Sequence, residues 1–292
     1  MNLLLSFIAA VTASINSIGI RLFEEKVQKN RRDLQAYQAM YIFLSGVVFL
    51  LLSGLRFPVT TAGWLLTVAF GLCLAVSSIG TAESYLCGPM SLSGVIISCN
   101  VVMPVVFGCL VYREILGVTH LIGIGFLLLT FVLTGLGSGE GKKGISLKWI
   151  LMVLLGFLGN GFGAIVLAIY ARLPEPANDN GFMAVGFFLG AVMLLSYTMF
   201  TGRGGVRFRE PVHVTKPFML LAVWAAIGCF VTNLLIIYLS GVMPASLLHP
   251  IYNGASGVMI TLVSCLCFRE RMDRRKALIL TLGICAVVFL NL

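Results

Sequence analysis

The chain has 292 residues, of which 59% are hydrophobic and 11% are charged, and its formal net charge is +9. Soluble domains carry about 25% charged residues, so this composition excludes an ordinary soluble domain. The positive charge lies in short loops between long apolar segments. That is the pattern of a membrane protein surrounded by a lipid bilayer, and it predicts no nucleic-acid partner.

Ten apolar segments follow one another along the chain, each long enough to cross about 30 Å of hydrocarbon as a helix. They predict an all-α integral membrane protein with ten transmembrane helices and no room for a soluble domain. In chain order the segments cover residues 2–22, 34–54, 63–86, 91–112, 118–137, 147–171, 180–201, 217–240, 244–267 and 276–291.

The basic residues fall almost entirely on one side of the predicted bundle. Of the 20 lysines and arginines, only Arg56, Arg113 and Arg172 lie in loops on the opposite side. Because basic loops stay in the cytoplasm, both termini are predicted to be extracytoplasmic. The predicted location is the plasma membrane, with a multi-pass topology.

Similar motifs recur at nearly constant offsets in the two halves of the chain, as they do in a duplicated sequence. Asn16 and Gly19 match Asn160 and Gly163, 144 residues later. Further matches join YLCGPMSLS at 85–93 to YLSGVMPAS at 238–246, Asn100 to Asn253, and Arg113-Glu114 to Arg269-Glu270. The pattern predicts two five-helix repeats, covering residues 1–137 and 147–292, with a linker at 138–146.

Five helices per repeat is an odd number, so the second repeat must enter the membrane from the opposite side. Such inverted repeats are common in secondary transporters, which bind their substrate between the two halves near the middle of the membrane. The arrangement predicts alternating access, in which the halves exchange conformations and the site faces one side of the membrane at a time.

Two copies of a five-helix unit, each with a glutamate just after its fourth helix, resemble the drug/metabolite transporter superfamily in its ten-span EamA-domain branch. The family motif at this position is usually Gly-Glu-Arg-like. The chain has Tyr112-Arg113-Glu114 and Phe268-Arg269-Glu270-Arg271 instead, so the glycine is missing in both halves. The resemblance implies coupled or exchange transport of small polar metabolites, such as amino acids, amines or nucleotide sugars. The Arg-Glu pairs themselves predict ion pairs at the helix ends.

Glu83 is the only acidic residue inside an apolar segment, about one turn from its end. A buried carboxylic acid is costly in a membrane, which favours a functional role as proton carrier or as ligand for an amine. The alternative is a carboxylate that reaches the cytoplasmic surface or caps the following turn. The matching residue in the second repeat is Ile236, so a role for Glu83 would be asymmetric.

Five asparagines lie within apolar segments and away from their ends, where each side-chain amide needs a partner. Asn16 and Asn160 are one repeat-related pair, Asn100 and Asn253 are another, and Asn233 is the fifth. They are predicted to line the substrate site. The alternative is hydrogen bonding between helices, at about 0.6–2 kcal/mol per contact, and the two roles are compatible.

Other polar and aromatic residues extend the predicted substrate site. His249 lies one helical turn before Asn253, on the same face, and Tyr252 beside it supplies an aromatic wall. Gln38 and Tyr41 share a face at the start of the second segment. A structural hydrogen bond for His249, and an interfacial aromatic and amide belt for Gln38 and Tyr41, are the alternatives.

Pro104 and Pro250 each lie inside an apolar segment. Each proline removes a backbone hydrogen bond and can kink its helix. The two are therefore candidates for gating hinges, with fixed packing geometry as the alternative.

The sequence therefore predicts a secondary active transporter of small polar, amino acid- or amine-like metabolites, coupled to protons or to exchange. A non-transporting membrane scaffold or subunit is one alternative, and an intramembrane lipid-modifying enzyme is another. The eight cysteines have no metal or redox spacing and no catalytic motif is present, so no enzyme activity, metal or cofactor is predicted. Both a monomer and a homodimer are compatible with the sequence.

Overall fold

The computed structural model describes residues 2–27, 31–58, 60–87, 90–135, 146–173, 178–200, 212–267 and 274–290. Within these ranges the chain is helical apart from short connections, which confirms the predicted all-helical fold. The helices are α1 (Asn2–Lys26), α2 (Arg31–Ser53), α3 (Thr61–Cys87), α4 (Met90–Ser98), a 3₁₀ helix (Cys99–Val101), α5 (Val102–Val111), α6 (Val118–Gly135), α7 (Leu147–Tyr170), α8 (Asp179–Phe200), α9 (Lys216–Val242), α10 (Ala245–Cys267) and α11 (Arg274–Phe289).

Each predicted segment coincides with a helix to within a few residues, but the fourth segment is divided. There α4, the 3₁₀ helix and α5 follow one another without a gap. Pro104 is the third residue of α5, directly after the 3₁₀ helix. The expected interruption of this segment therefore lies just before Pro104. Pro250, in contrast, lies inside the unbroken helix α10.

Six of these helices are long and apolar enough to cross a membrane, namely α1, α2, α3, α7, α8 and α9. Shorter apolar helices cover Ile96–Val111, Val118–Leu133 and Ala277–Phe289. Large apolar side chains such as Leu51, Leu110 and Leu220 are at least 70% exposed. An outer surface of this kind suits contact with lipid, and the architecture is that of a membrane-embedded helical protein.

Capping residues fix the starts of three helices in residues 146–290. The Ser146 hydroxyl accepts a hydrogen bond from the Trp149 amide at 3.1 Å, at the start of α7. Asn178 and Thr215 precede α8 and α9, and their side chains accept from the amides of Gly181 and Phe218, respectively. Such caps satisfy amide groups that the first helical turn leaves without partners. α10 begins differently, because it follows Pro244, whose side chain has no hydrogen-bonding group.

Most of the closest helix pairs join residues 2–135 to residues 146–290. α3 packs on α7 and α8, α1 on α9 and α10, α2 on α8 and α9, and α6 on α11. α10 also packs on α5 and on its own neighbour α11. The two halves of the chain therefore interdigitate along their length, so a space enclosed at the centre is lined by both.

Glycines allow α3 and α7 to approach closely. A Cβ atom on Gly80 would lie 2.8 Å from the Met152 carbonyl oxygen and 2.9 Å from the Gly156 Cα atom. A Cβ atom on Gly159 would lie 2.6 Å from the Ser77 amide nitrogen. Small residues permit this backbone contact, and the contact brings Ser77 of α3 beside Asn160 of α7.

Candidate substrate cavity

A cavity of about 250 Å³ lies among α3, α7, α9, α10 and the 3₁₀ helix. Its polar lining comes from both halves of the chain. The polar residues are Ser77, Asn100, Asn160, Thr232, Asn233, His249, Tyr252 and Asn253. Phe70, Leu74, Leu167 and Ile236 form an apolar wall. A concave space with a few convergent polar groups is the usual form of a small-molecule site.

A hydrogen bond to its own helix or to the adjoining segment holds each of the four asparagines in the cavity. In every case the side-chain Nδ2 donates to a backbone carbonyl three or four residues earlier. The pairs are Asn100 to Ile97 (2.6 Å), Asn160 to Gly156 (3.0 Å), Asn233 to Cys229 (2.8 Å) and Asn253 to His249 (2.9 Å). These bonds fix the amides and leave each Oδ1 without a protein partner within the described residues, so four carbonyl oxygens are available to a ligand.

His249 lies at the cavity with only 6% of its surface exposed. Its Nε2 has no hydrogen-bond partner among the residues that the structure describes. Buried polar atoms are nearly always paired, so an unpaired nitrogen in a residue that borders the cavity is an exception. Tyr252 lies three residues further along α10 and also borders the cavity.

The cavity lining is uncharged. Among the described residues that border it, none is aspartate, glutamate, lysine or arginine. The polar character of the space therefore comes from amides, hydroxyl groups and one imidazole.

Six of the predicted substrate-binding residues meet at this cavity: Asn100, Asn160, Asn233, His249, Tyr252 and Asn253. Four others lie outside its described lining: Asn16, Gln38, Tyr41 and Glu83. Asn16 lies where α1 crosses α9, and a Cβ atom on Gly228 would be 2.9 Å from the Asn16 amide nitrogen.

Gln38 and Tyr41 lie in the layer of aromatic side chains around α2. Gln38 is 9% exposed, and its Oε1 has no partner within the described residues. The rings of Tyr41 and Tyr37 are 5.8 Å apart in an edge-to-face contact. Tyr41 packs against the same hydrophobic core as Tyr252.

Glu83 lies near the end of α3 that the loop charges predict to be cytoplasmic. Its side chain is fully buried, and Oε1 accepts a hydrogen bond from Gln35 Nε2 at 3.1 Å. Lys148 Nζ is 3.9 Å from Oε2. Glu83 therefore joins α2 and α3 to α7 at one end of the bundle, away from the cavity lining.

The sequence did not predict the partners of Glu114. Its Oε1 accepts from Arg172 Nη2 at 3.0 Å and from the Ala245 amide at 3.1 Å, and its Oε2 accepts from the Ser246 amide at 2.9 Å. Arg172 also donates to the Met243 carbonyl at 3.1 Å. We call these contacts the Glu114 clasp, which joins the α5–α6 loop to α7 and caps α10.

The clasp corrects the expected helix-end ion pair for this half, because the partner of Glu114 is Arg172 and not the neighbouring Arg113. The corresponding pair at Arg269-Glu270 lies outside the described residues. Partial burial disfavours the charge of Glu114, but hydrogen bonds from Ser246, Arg172 and Ala245 outweigh it. Together they hold the pKa of the Glu114 carboxyl below its usual value.

Two backbone features aim Glu114 at α10. Arg113 has a φ of +54°, in the left-handed region where glycine is favoured, and this turns the chain back after α5. Gly108 leaves room for the returning carboxylate, since a Cβ atom there would lie 3.0 Å from the Glu114 carboxyl carbon.

Comparisons with known proteins give a fold likeness. No family model matches the chain, and no curated protein matches it. A solved structure, described only as "Crystal structure of protein", is similar with a TM-score of 0.74 and 15% sequence identity. The match covers 100% of this chain and 98% of that one. At this identity the likeness shows that the two chains share a fold.

Proposed function

We propose that this chain is a secondary active transporter, which moves small polar metabolites across the membrane by alternating access. The observation that carries the proposal is the polar cavity at the centre of an otherwise apolar bundle. Polar groups are costly at this depth in a membrane protein and generally serve a substrate or ion path. The proposed coupling is to protons or to exchange of a second solute.

The pattern of helix packing supports two inverted repeats. The two halves can be exchanged by pairing α1 with α7, α2 with α8, α3 with α9, the α4–α5 segment with α10, and α6 with α11. This exchange maps the closest packing pairs onto one another. The α3–α7 pair becomes α9–α1, and α3–α8 becomes α9–α2. The α2–α8 and α6–α11 pairs map onto themselves. A pseudo-twofold relation of this kind is the basis of alternating access in repeat transporters.

The turn at Arg113 supports the proposed kinship with the EamA-domain transporters. The family motif has a glycine immediately before its glutamate. Here that position holds Arg113, whose φ of +54° is one that glycine adopts without strain. The local backbone thus suits the family motif even though the residue differs.

Two polar networks at opposite ends of the bundle suit a gating role. The Glu114 clasp joins the two halves at one end, and Glu83 with Lys148 joins them at the other. In alternating access, contacts between the halves must break at each end in turn. We propose Glu83 as the residue that couples transport to protons. It lies at the end of the bundle, outside the cavity lining, so it would not be a ligand of the substrate.

Reconstitution tests the transport function. Liposomes containing the purified protein are loaded with a mixture of small polar metabolites, and efflux is followed by mass spectrometry. We expect at least one solute to leave through the wild-type protein. Joint substitution Asn160→Leu and Asn253→Leu should reduce its rate at least tenfold, because two of the four anchored amides are lost.

The matched control is Thr281→Val, which removes a hydroxyl from the exposed face of α11. Its efflux should equal that of the wild type. Equal rates for the wild type and the double asparagine variant, with both proteins monodisperse on gel filtration, would place the transport path elsewhere.

A further inference from the structure

We propose that the cavity selects solutes that carry no formally charged group and offer several N–H or O–H donors, such as polyols, small primary amides or nucleobases. The inference rests on the proposed function in so far as the bound solute is the one transported. It narrows the sequence-based expectation of an amino acid- or amine-like substrate.

The first step is the charge of the cavity. Its described lining contains four asparagines but no carboxylate, lysine or arginine. Glu83 is engaged with Gln35 and Lys148. Glu114 caps α10 one turn before His249, but it is paired with Arg172 and with the Ser246 amide. A charge moved from water into a low-dielectric site is strongly disfavoured unless an opposite charge meets it. The site therefore discriminates against ammonium and carboxylate groups alike.

The second step is the direction of the hydrogen bonds. Each of the four asparagines donates one N–H of Nδ2 to a nearby backbone carbonyl, and Asn233 also contacts Cys229 Sγ. Within the described residues this leaves all four Oδ1 atoms without a protein partner, together with the second N–H of the other three amides. Amide oxygens accept hydrogen bonds. Each free Oδ1 has two lone pairs, so acceptor sites outnumber the N–H donors that remain. The expected order of affinity is therefore neutral donor, then cation, then anion.

The third step is the presence of His249 in the cavity lining. His249 borders the cavity on the same helix as Asn253 and Tyr252, and its buried Nε2 has no hydrogen-bond partner within the described residues. A neutral imidazole nitrogen can either donate or accept one hydrogen bond. Together with the Tyr252 hydroxyl, it complements a solute that carries donors and acceptors on one edge and an apolar or planar face on another.

The test is equilibrium binding to the purified full chain in detergent, measured as ligand-induced thermal stabilisation. The probes are matched sets of similar size, for example glycerol, 2-amino-1,3-propanediol, serine and glycerate, with a second set built on nicotinamide and nicotinate. We expect the neutral members to bind at least tenfold more tightly than their charged analogues. Equal or tighter binding of an amine, a zwitterion or a carboxylate overturns the inference, as does the absence of binding by every neutral probe.

A charge-swap variant sharpens the test. Asn160→Asp places a carboxylate in the cavity and should raise the affinity for 2-amino-1,3-propanediol at least tenfold, while Asn160→Leu should weaken binding of every probe. No gain with Asn160→Asp overturns the inference. Binding in detergent requires no transport. Selective binding of neutral solutes without flux in liposomes would therefore contradict the proposed transport function and leave the proposed selectivity standing. Flux of amines but not of neutral solutes contradicts only the selectivity.

Discussion

Replacing Glu114 by glutamine is expected to lower the free energy of unfolding by about 2 kcal/mol at neutral pH, because hydrogen bonds to a charged group each contribute about 1.5–3 kcal/mol. The variant loses the charge that Arg172 contacts at 3.0 Å and weakens the cap on Ala245 and Ser246. Chemical unfolding in detergent, followed by tryptophan fluorescence, measures the difference.

The effect of Glu114→Gln should depend on pH in a defined direction. The pKa of the Glu114 carboxyl is lowered from its usual 4.5 in the folded protein. The clasp therefore contributes fully above that usual value, and its contribution is lost only as the pH falls through the lower folded-state pKa. The stability gap between wild type and variant should be constant from about pH 5.5 to 8 and should shrink below about pH 4.5.

A double-mutant cycle with Arg172→Gln provides the control for the clasp. If the two side chains interact directly, their combined effect is smaller than the sum of the single effects, with a coupling of about 0.5–3 kcal/mol. Strictly additive losses would show that Glu114 and Arg172 act independently and would contradict the clasp.

Replacing Gly80 by alanine is expected to destabilise the protein by about 2 kcal/mol, because overpacking at a close contact costs about 1–3 kcal/mol. The new Cβ atom would lie 2.8 Å from the Met152 carbonyl oxygen and 2.9 Å from the Gly156 Cα atom. Both neighbours are backbone atoms, so α3 and α7 must separate to relieve the contact. The same separation would enlarge and distort the cavity.

Gly125→Ala is the matched control for this prediction. Gly125 lies within α6, and a Cβ atom there would have nothing within 4 Å. Alanine in a helix interior is favoured over glycine by up to about 1 kcal/mol, so this variant should be equally stable or more stable. Thermal unfolding of both variants tests whether Gly80→Ala lowers the stability while Gly125→Ala keeps or raises it. A similar stability change in both variants would contradict the close approach of α3 and α7.

The positions of the helices were predictable because hydrophobic length alone decides whether a segment can cross a membrane. The division of the fourth segment was only partly predictable. Pro104 signals a break, but the local backbone shifts into the 3₁₀ helix Cys99–Val101, and hydropathy carries no information about hydrogen-bond spacing. The helix-packing pairs could not be read from composition, since lipid-facing and buried faces are similarly apolar.

The cavity residues were predictable in part for a chemical reason. A side-chain amide in an apolar helix needs a partner. The sequence alone therefore predicts Asn100, Asn160 and Asn253 as candidate site residues. Glu83 met the same criterion, yet its partners are Gln35 and Lys148 at a helix end. Chemistry alone does not distinguish the centre of a membrane protein from its edge.

The Glu114 clasp was not predictable because its parts are distant in sequence. Glu114 and Arg172 are 58 residues apart, and Glu114 and Ser246 are 132 residues apart. The sequence showed a repeated Arg-Glu pair and favoured a local ion pair. Only the packing of α7 and α10 against the α5–α6 loop reveals the actual partner.

The most direct measurement of the central claim is access to the cavity from the two sides of the membrane. Ser77→Cys places a thiol in the cavity wall with little change in size, and Thr281→Cys serves as the control outside it. A small membrane-impermeant methanethiosulfonate is applied to right-side-out and inside-out vesicles, and modification of each residue is followed by peptide mass spectrometry. Alternating access predicts that Cys at position 77 is modified from both sides and is protected by a transported solute. Modification from one side alone, or from neither, would contradict the account.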